Sequence, residues 1–296
     1  MRKKSRKRSE LVDSVEKKAL LLFEKLERDF YRSIINEFRD LLTFKDNMIV
    51  NSTKNHVALH KLAEFQEKFK KRKVMPIITW IANQLIKITK TNVEYFDNFD
   101  VKKIQGKVTK DSVAKYGIKK TGNVVKIAKG SLLDQLSKFE EPYMAIRNIG
   151  TRAIAQGMPL KEFQSVIKSE ILPEGKFGKI KSHFQTIAQD LFVEHDRNVN
   201  NEFADRLGLM AFIYEGGLIE TSREFCQEKN GKVFTREEAE QWAFEDFDGK
   251  PSGGYDPLSN MGGYNCRHHA GWIDEKEAIR RRPDLEQYFK DKKANR

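Results

Sequence analysis

The sequence predicts a mainly α-helical protein of the α+β class, with elongated N-terminal and central helices and a small C-terminal α+β module. Apolar residues recur at three- and four-residue steps over long stretches, and charged residues, 33% of the 296, lie between them. In the C-terminal quarter, glycines and short β-prone pieces replace that period. The charged fraction is high for a compact enzyme, whereas a hydrophobic fraction of 39% still provides a core.

The N-terminal third contains three predicted helices. The first spans residues 9–42, and the second covers about 55–71. Pro76 can open the third, about 76–90, because proline is tolerated in the first turn of a helix. Each helix has an apolar face that needs a partner surface. The rest of the chain, another subunit or a neighbouring protein could supply it.

The middle of the chain changes character twice. Residues 93–130 contain β-prone pieces and turn glycines, which predict a connector with a small hairpin. Helices resume at Ser131, a common N-cap residue type, and the last of them covers about 179–208. Short strands are predicted at 209–214 and 232–234. The sequence therefore predicts five consecutive segments, which are a basic helical arm (1–92), the connector (93–130), a central helical region (131–208), a C-terminal Cys/His module (209–275) and a charged tail (276–296).

The net charge of +12 is concentrated in the first 90 residues, which hold 22 lysines and arginines against 11 aspartates and glutamates. A basic region of this kind attracts polyanions such as nucleic acid, although a solvated helix face would give the same count. The first eight residues alone could form a disordered arm. The clustered cations that would contact nucleic acid or another partner are Arg2, Lys3, Lys4, Arg6, Lys7, Arg8, Lys70, Lys71, Arg72 and Lys73.

Several classes of protein are disfavoured by what the sequence lacks. No apolar run approaches the roughly 20 residues of a membrane-spanning helix, and no signal-peptide apolar segment follows the basic N-terminus. We therefore expect a protein that is made in the cytoplasm, where its two cysteines would stay reduced. There is no Walker loop, dinucleotide-binding fingerprint or Gly-x-Ser-x-Gly elbow.

The two cysteines and two of the six histidines lie in the C-terminal module. Cys226, Cys266 and His268 form a ligand set that suits tetrahedral zinc, and a structural zinc ion is the one cofactor that the sequence suggests. Cys226 has no second ligand within a few residues, so a zinc knuckle is not visible. A redox-sensitive cysteine pair, or buried thiols beside hydrogen-bonding histidines, would explain the same residues.

The same residues also permit a nuclease hypothesis. An RNase-like site would use one histidine as general base and another as general acid, with a cation stabilising the phosphate. Adjacent histidines rarely converge on one phosphate, which argues against it. His56 and His60 stand four residues apart but lack the metalloprotease pattern. The residues that could form such a site are Arg223, Glu224, Arg267, His268 and His269.

The string TSREFCQEKNGKVFTREE, followed after a glycine-rich loop by GGYNCRHH and GWI, resembles the C-terminal part of the phage Mu F-like minor head proteins of tailed bacteriophages. The similarity is specific over about 60 residues and weaker over a further 80, where residues 191–196, Asn200 or Asn201, and 208–214 fit loosely. It does not reach the N-terminal helices. The matching residues are Thr221, Ser222, Arg223, Cys226, Asn230, Gly231, Lys232, Gly262, Gly263, Asn265, Cys266, Arg267 and His268.

The resemblance implies a structural minor head protein that associates with the capsid or portal and acts in head morphogenesis. Its expected partners are the portal and major capsid proteins, together with packaged DNA bound without sequence specificity; a homo-oligomer is also compatible. Its expected location is the head interior or portal vertex of the virion, with no membrane involved. The resemblance implies no catalytic residue. The alternative function is a nuclease or toxin-like RNase or DNase carried in the phage head.

Overall fold

Helices form most of the regular structure and the strands are few and short, which confirms the mainly α class with a small α+β module. The computed structural model describes residues 2–122, 124–138, 140–173 and 178–294. None of the helices in this part of the chain has the length and apolar character needed to cross a membrane.

The elements follow one another along the chain with short connections. The helices are α1 Arg2–Leu41, α2 Thr53–Ala58, α3 Leu62–Phe69, α4 Met75–Tyr95, α5 Gln105–Ala114, α6 Leu132–Leu136, α7 Glu140–Gln156, α8 Leu160–Ile171, α9 Lys179–Arg206, α10 Glu224–Lys229, α11 Arg236–Glu240, α12 Pro257–Asn260, α13 Glu275–Arg281 and α14 Leu285–Ala294. The strands are β1 Phe44–Lys45, β2 Met48–Ile49, β3 Ile118–Thr121, β4 Val124–Ile127, β5 Ala211–Glu215, β6 Val233–Thr235 and β7 His269–Ile273.

The first helix begins at Arg2, not at residue 9 as the apolar period indicates. The hypothesis of a disordered arm is therefore wrong for residues 2–8. Ser5 and Arg8 are buried one turn apart, and Val12 continues the same face one turn later. The interior face of α1 thus starts with polar residues, which a search for apolar periodicity does not detect.

The predicted break between the second and third helices is a π-helical turn, Lys70–Val74, that joins α3 to α4. Pro76 is the second residue of α4 and has no N–H to donate to the carbonyl of Arg72. A wider turn at this point accommodates the missing hydrogen bond, so the chain remains helical. The proline therefore lies within a continuous helical stretch.

Two compact units make up the structure, and each collects separated segments of the chain. The C-terminal unit contains Met1–Ser14, Leu85–Val113 and Gln189–Arg296, and the middle unit contains Val15–Gln84 and Ala114–Ala188. The sequence predicts consecutive segments instead. Periodicity could not reveal the difference, because three long helices, α1, α4 and α9, run through the unit boundaries without a break.

Aromatic side chains form much of the core of the middle unit. Phe30 packs against Phe65 and Phe69 with ring centroids 6.0 and 5.1 Å apart, and Phe38 meets Phe163 edge to face at 4.9 Å. Such contacts contribute beyond the area that they bury. The antiparallel hairpin of β3 and β4 belongs to this unit and lies within the segment for which a hairpin is predicted.

The C-terminal unit is built on a three-stranded antiparallel sheet in the order β6-β5-β7. The central strand, β5, pairs Phe212 with Phe234 on one side and with Trp272 on the other. The predicted strands at 209–214 and 232–234 correspond to β5 and β6. The third strand, β7, was not predicted because all five of its residues are buried, which removes the alternation that marks a half-buried strand.

Candidate metal centre

Three side chains that could bind a metal lie side by side in the C-terminal unit. Cys226 is on α10, whereas Cys266 and His268 are on the loop that leads into β7. The two Sγ atoms are 3.9 Å apart, and Cys266 Sγ is 3.7 Å from His268 Nδ1. All three residues are buried, and their ligand atoms lie within 4.8 Å of one another. This group could hold a metal ion.

The loop that carries Cys266 and His268 is fixed by a buried arginine on α9. The guanidinium of Arg197 donates to the carbonyl oxygens of Ser259 at 2.8 Å, Cys266 at 2.7 Å and His268 at 2.9 Å. Arg197 is only 3% exposed, so these charge-assisted bonds form where water does not compete. One side chain thereby sets the backbone position of two of the three candidate ligands.

A second arginine, Arg223 at the start of α10, holds the other side of the loop. Its guanidinium donates to the carbonyl oxygens of Gly262 at 3.0 Å and Tyr264 at 2.8 Å. The residue after Tyr264, Asn265, has a φ of +59°, a left-handed conformation that asparagine tolerates better than most residues. Arg223–Cys226 and the loop that contains Asn265–His268 are therefore joined by hydrogen bonds to the loop backbone as well as by the contact between the two sulfurs.

Gly262 packs directly against the cluster. A Cβ atom at this position would lie 2.3 Å from Cys226 Sγ, and 3.2 Å from both Cys266 Sγ and the hydroxyl oxygen of Tyr214. The φ of Gly262 is not in the left-handed region, so the backbone itself does not require glycine. An added side chain would therefore overlap the sulfur of Cys226.

The two thiols differ in acidity. The hydrogen bond from Cys226 lowers the pKa of Cys266 despite burial, and the hydrogen bond to His268 and the charge of Arg197 lower it further. The same Cys226–Cys266 bond, together with burial, raises the pKa of Cys226. Cys266 is consequently the more acidic thiol of the pair.

The ring of His268 is held in place from both faces. It stacks on the ring of Tyr214 with centroids 4.8 Å apart, and a Cβ on Gly216 would lie 2.4 Å from its Cδ2 atom. Its Nδ1 atom faces Cys266, while its buried Nε2 atom has no hydrogen-bond partner among the described residues. The orientation leaves Nδ1 as the ligand atom.

Of the residues of the nuclease hypothesis, Arg267, His268 and His269 line one cavity, whereas Arg223 and Glu224 line another. His269 belongs to a different contact, in which Ser5 Oγ lies 2.7 Å from its Nε2 atom and 2.8 Å from Glu215 Oε2. Burial, followed by the charges of Arg8 and Arg197, lowers the pKa of His269 well below its usual value. The guanidinium of Arg223 is bonded to loop carbonyls, and Glu224 and Arg267 are exposed.

Arg8, expected to contact nucleic acid or a partner, is completely buried. Its guanidinium lies 3.1 Å from Asp196, donates to Asn200 at 2.8 Å and stands 4.7 Å above the ring of Tyr95. Asp196 also accepts a hydrogen bond from Asn92 at 2.8 Å. Arg8 is therefore a structural cation in this conformation and is not available to an external surface.

The remaining basic candidates are distributed over both units. In the C-terminal unit, Lys4 pairs with Asp97, Lys7 with Glu94 at 2.6 Å and Arg6 with Glu10 at 2.7 Å. The side chains of Arg2 and Lys3 lie outside the described part of the chain. In the middle unit, Lys71, Arg72 and Lys73 are exposed on the π-helical turn and Lys70 is half-buried, with Lys73 3.0 Å from Asp29.

Sequence reasoning did not identify Tyr214, Gly262 or Arg197 as members of the site. Tyr214 lies in the predicted strand 209–214 and Arg197 in the predicted helix 179–208, and neither prediction gives a contact with the cluster. Their roles depend on which loop and sulfurs they reach, and that information lies in the tertiary fold. The Gly262-Gly263 pair in the family-like string is the one sequence signal for a close approach of the loop to the cluster.

No protein-family model, no curated protein and no solved structure matches this chain.

Proposed function

We propose that the chain is a structural minor head protein of a tailed bacteriophage that acts in head morphogenesis. One observation carries the proposal: residues that match the head-protein pattern at separated positions contribute to a single buried cluster. Arg223 and Cys226 reach it from α10, and Gly262, Cys266 and His268 reach it from the loop before β7. If the chain shares the fold of the head proteins, the residues that match their pattern should lie close together, as these residues do.

The chemistry of the cluster favours a structural role over a catalytic one. Its candidate ligands are buried, and the two arginines beside them donate hydrogen bonds to backbone carbonyls of the loop. Such a cluster would close a module to which portal or major capsid proteins bind. The head-protein resemblance favours a location at the head interior or portal vertex of the virion.

We further propose that the cluster binds one zinc ion as a structural metal. Tetrahedral zinc, with Zn–S near 2.3 Å and Zn–N near 2.0–2.1 Å, separates its ligand atoms by about 3.5–3.8 Å. The Sγ–Sγ distance of 3.9 Å and the Sγ–Nδ1 distance of 3.7 Å are close to these values.

The zinc proposal is tested by elemental analysis of the purified full chain. About one zinc per chain is expected, with loss in Cys226→Ser and in His268→Ala. His60→Ala is the matched control, because His60 is exposed and should leave the metal content unchanged. Wild-type protein without metal would contradict the proposal and favour buried thiols or a redox pair.

We propose that the exposed cations of the π-helical turn contact packaged DNA without sequence specificity. Replacing Lys71, Arg72 and Lys73 by alanine should weaken binding to any duplex and reduce its salt dependence, because fewer counterions are released. The control replaces Lys102, Lys103 and Lys107, which are also exposed or near the surface and remove the same charge. Equal effects of the two triple variants would mean that only the net charge matters.

The head function is tested by deleting the gene from the phage that carries it. We expect heads that are defective or poor in DNA, and restoration of normal heads by the wild-type gene supplied in trans. Complementation by Cys226→Ser should be weaker than by wild type. Normal titre and head morphology after deletion would contradict the proposal.

A further inference from the structure

We propose that Tyr214 is the fourth ligand of the metal centre, with its phenolate oxygen completing the set formed by Cys226, Cys266 and His268. This inference rests on the zinc site proposed above. It assigns the site to the closed, structural type, in which all four ligands come from the protein.

The position of the hydroxyl group carries the argument. The Tyr214 oxygen lies 3.4 Å from Cys226 Sγ and 3.9 Å from Cys266 Sγ. In a tetrahedral site with metal–sulfur distances near 2.3 Å and metal–oxygen distances near 2.0 Å, sulfur and oxygen are about 3.5 Å apart. The oxygen therefore lies where a fourth ligand atom belongs. Gly262 lies against the same three atoms, because a Cβ at this position would be 2.3 Å from Cys226 Sγ and 3.2 Å from Cys266 Sγ and the Tyr214 oxygen.

The hydroxyl group of Tyr214 is buried beside both sulfurs. Tyr214 is fully buried, and among the described residues its hydroxyl contacts the Sγ atoms of Cys226 and Cys266. A thiol is a weak hydrogen-bonding partner, and a bound metal ion would be a stronger partner for this oxygen.

Charge balance and access agree with a closed site. Two thiolates and one phenolate around a divalent ion leave one negative charge, and the positive charges of Arg197 and Arg223 act on the two cysteines. A cavity of about 250 Å³ beside the module is lined by His268 but by neither cysteine. Binding would break the cysteine S–H bonds and the Tyr214 O–H bond, release these protons to solvent, and let sulfur and oxygen lone pairs form the bonds to the metal.

The experiment adds zinc to the full-length chain after its metal has been removed with a chelator. The ultraviolet difference spectrum should show one tyrosinate formed per zinc bound, and Tyr214→Phe should abolish that signal. The variant should also bind zinc on the order of 10- to 100-fold more weakly in a chelator competition. Tyr95→Phe is the matched control, because Tyr95 is buried in the same unit with its hydroxyl on the carbonyl of Trp272.

The outcomes separate this inference from the zinc proposal. Zinc bound at one per chain without a tyrosinate signal would overturn ligation by Tyr214 and leave the zinc site intact. No zinc binding by the wild type would overturn both. The tyrosinate signal of the wild type can be measured even if Tyr214→Phe does not fold. If the signal is lost in Tyr95→Phe and kept in Tyr214→Phe, it comes from Tyr95 and the inference is overturned.

Discussion

At the scale of single residues, the candidate metal centre depends on a position that lacks a side chain. Gly262 lies against both sulfurs and Tyr214, and its backbone conformation is open to other residues. Glycine is therefore required by packing against the cluster and not by the turn. A substitution at position 262 therefore tests steric packing against the cluster without straining the backbone.

Gly262→Ala should displace the cysteines and remove most of the bound zinc. The added Cβ would lie 2.3 Å from Cys226 Sγ, and overpacking of this kind costs about 1–3 kcal/mol of unfolding free energy. The measurements are zinc content and urea denaturation. Gly253→Ala is the control, because nothing lies within 4 Å of the position that its Cβ would take. Equal zinc content in the two variants would contradict the role given to Gly262.

The site could be predicted from the sequence only as far as its residue types. Two cysteines and a histidine are recognisable as ligands wherever they occur, so Cys226, Cys266 and His268 were named correctly as a group that could hold a metal. Tyr214 and Arg197 could not be named, since neither residue type is diagnostic. Tyr214 faces the sulfurs only because β5 pairs with β7 in the observed register.

At the scale of elements, long helices were predictable and their polar contacts were not. The apolar period located α1 and α9 because it follows directly from burial of one helix face. The first two turns of α1 escaped prediction, since their interior face is polar and is satisfied by partners far along the chain, such as Glu215 and Asp196. Where the buried face of a helix is formed by polar residues, the periodicity of apolar residues does not reveal the helix.

Arg8→Met should destabilise the protein far more than Arg6→Met. Removing Arg8 leaves the buried carboxylate of Asp196 without its cation, which costs about 3–5 kcal/mol. Arg6 is 81% exposed, and its pair with Glu10 is worth less than about 1 kcal/mol. Denaturant unfolding of both variants is the measurement. Adding Asp196→Asn to Arg8→Met should recover part of the loss, and equal stability of the two single variants would contradict the buried contact.

Glu238 ties the short helix α11 to the end of α13, and this contact should depend on pH. It completes a capping box with Thr235 and accepts two hydrogen bonds from Arg282 at 2.8 and 2.6 Å. Burial alone would raise the pKa of Glu238, but the bonds from Arg282 and Thr235 outweigh it and lower the pKa below 4.5. The stabilisation is therefore complete above pH 4.5 and is lost as the pH falls through the lowered value.

Glu238→Gln should accordingly cost about 1 kcal/mol near neutral pH, and the difference from wild type should shrink towards zero at about pH 3. Urea denaturation at the two pH values measures it. Glu224→Gln, at an exposed carboxylate, is the control and should show no such convergence. A constant difference between Glu238→Gln and wild type across this range would exclude the ionised contact.

At the scale of the whole molecule, the chain combines two units of different character. The middle unit has an aromatic helical core and the exposed cations of the π-helical turn, whereas the C-terminal unit holds the Cys/His cluster and the buried start of α1. The fold class followed from composition and periodicity alone. The division into units did not, because it depends on helices that run through both and on contacts between distant segments.

The most direct test of the head-protein proposal is quantitative mass spectrometry of purified, DNA-filled particles from the phage that encodes the chain. The proposal predicts that the chain is present in every preparation, at a few copies for each head, in constant ratio to the portal protein. Particles that lack the chain, while extracts of the infected cells contain it, would contradict a structural role in the head.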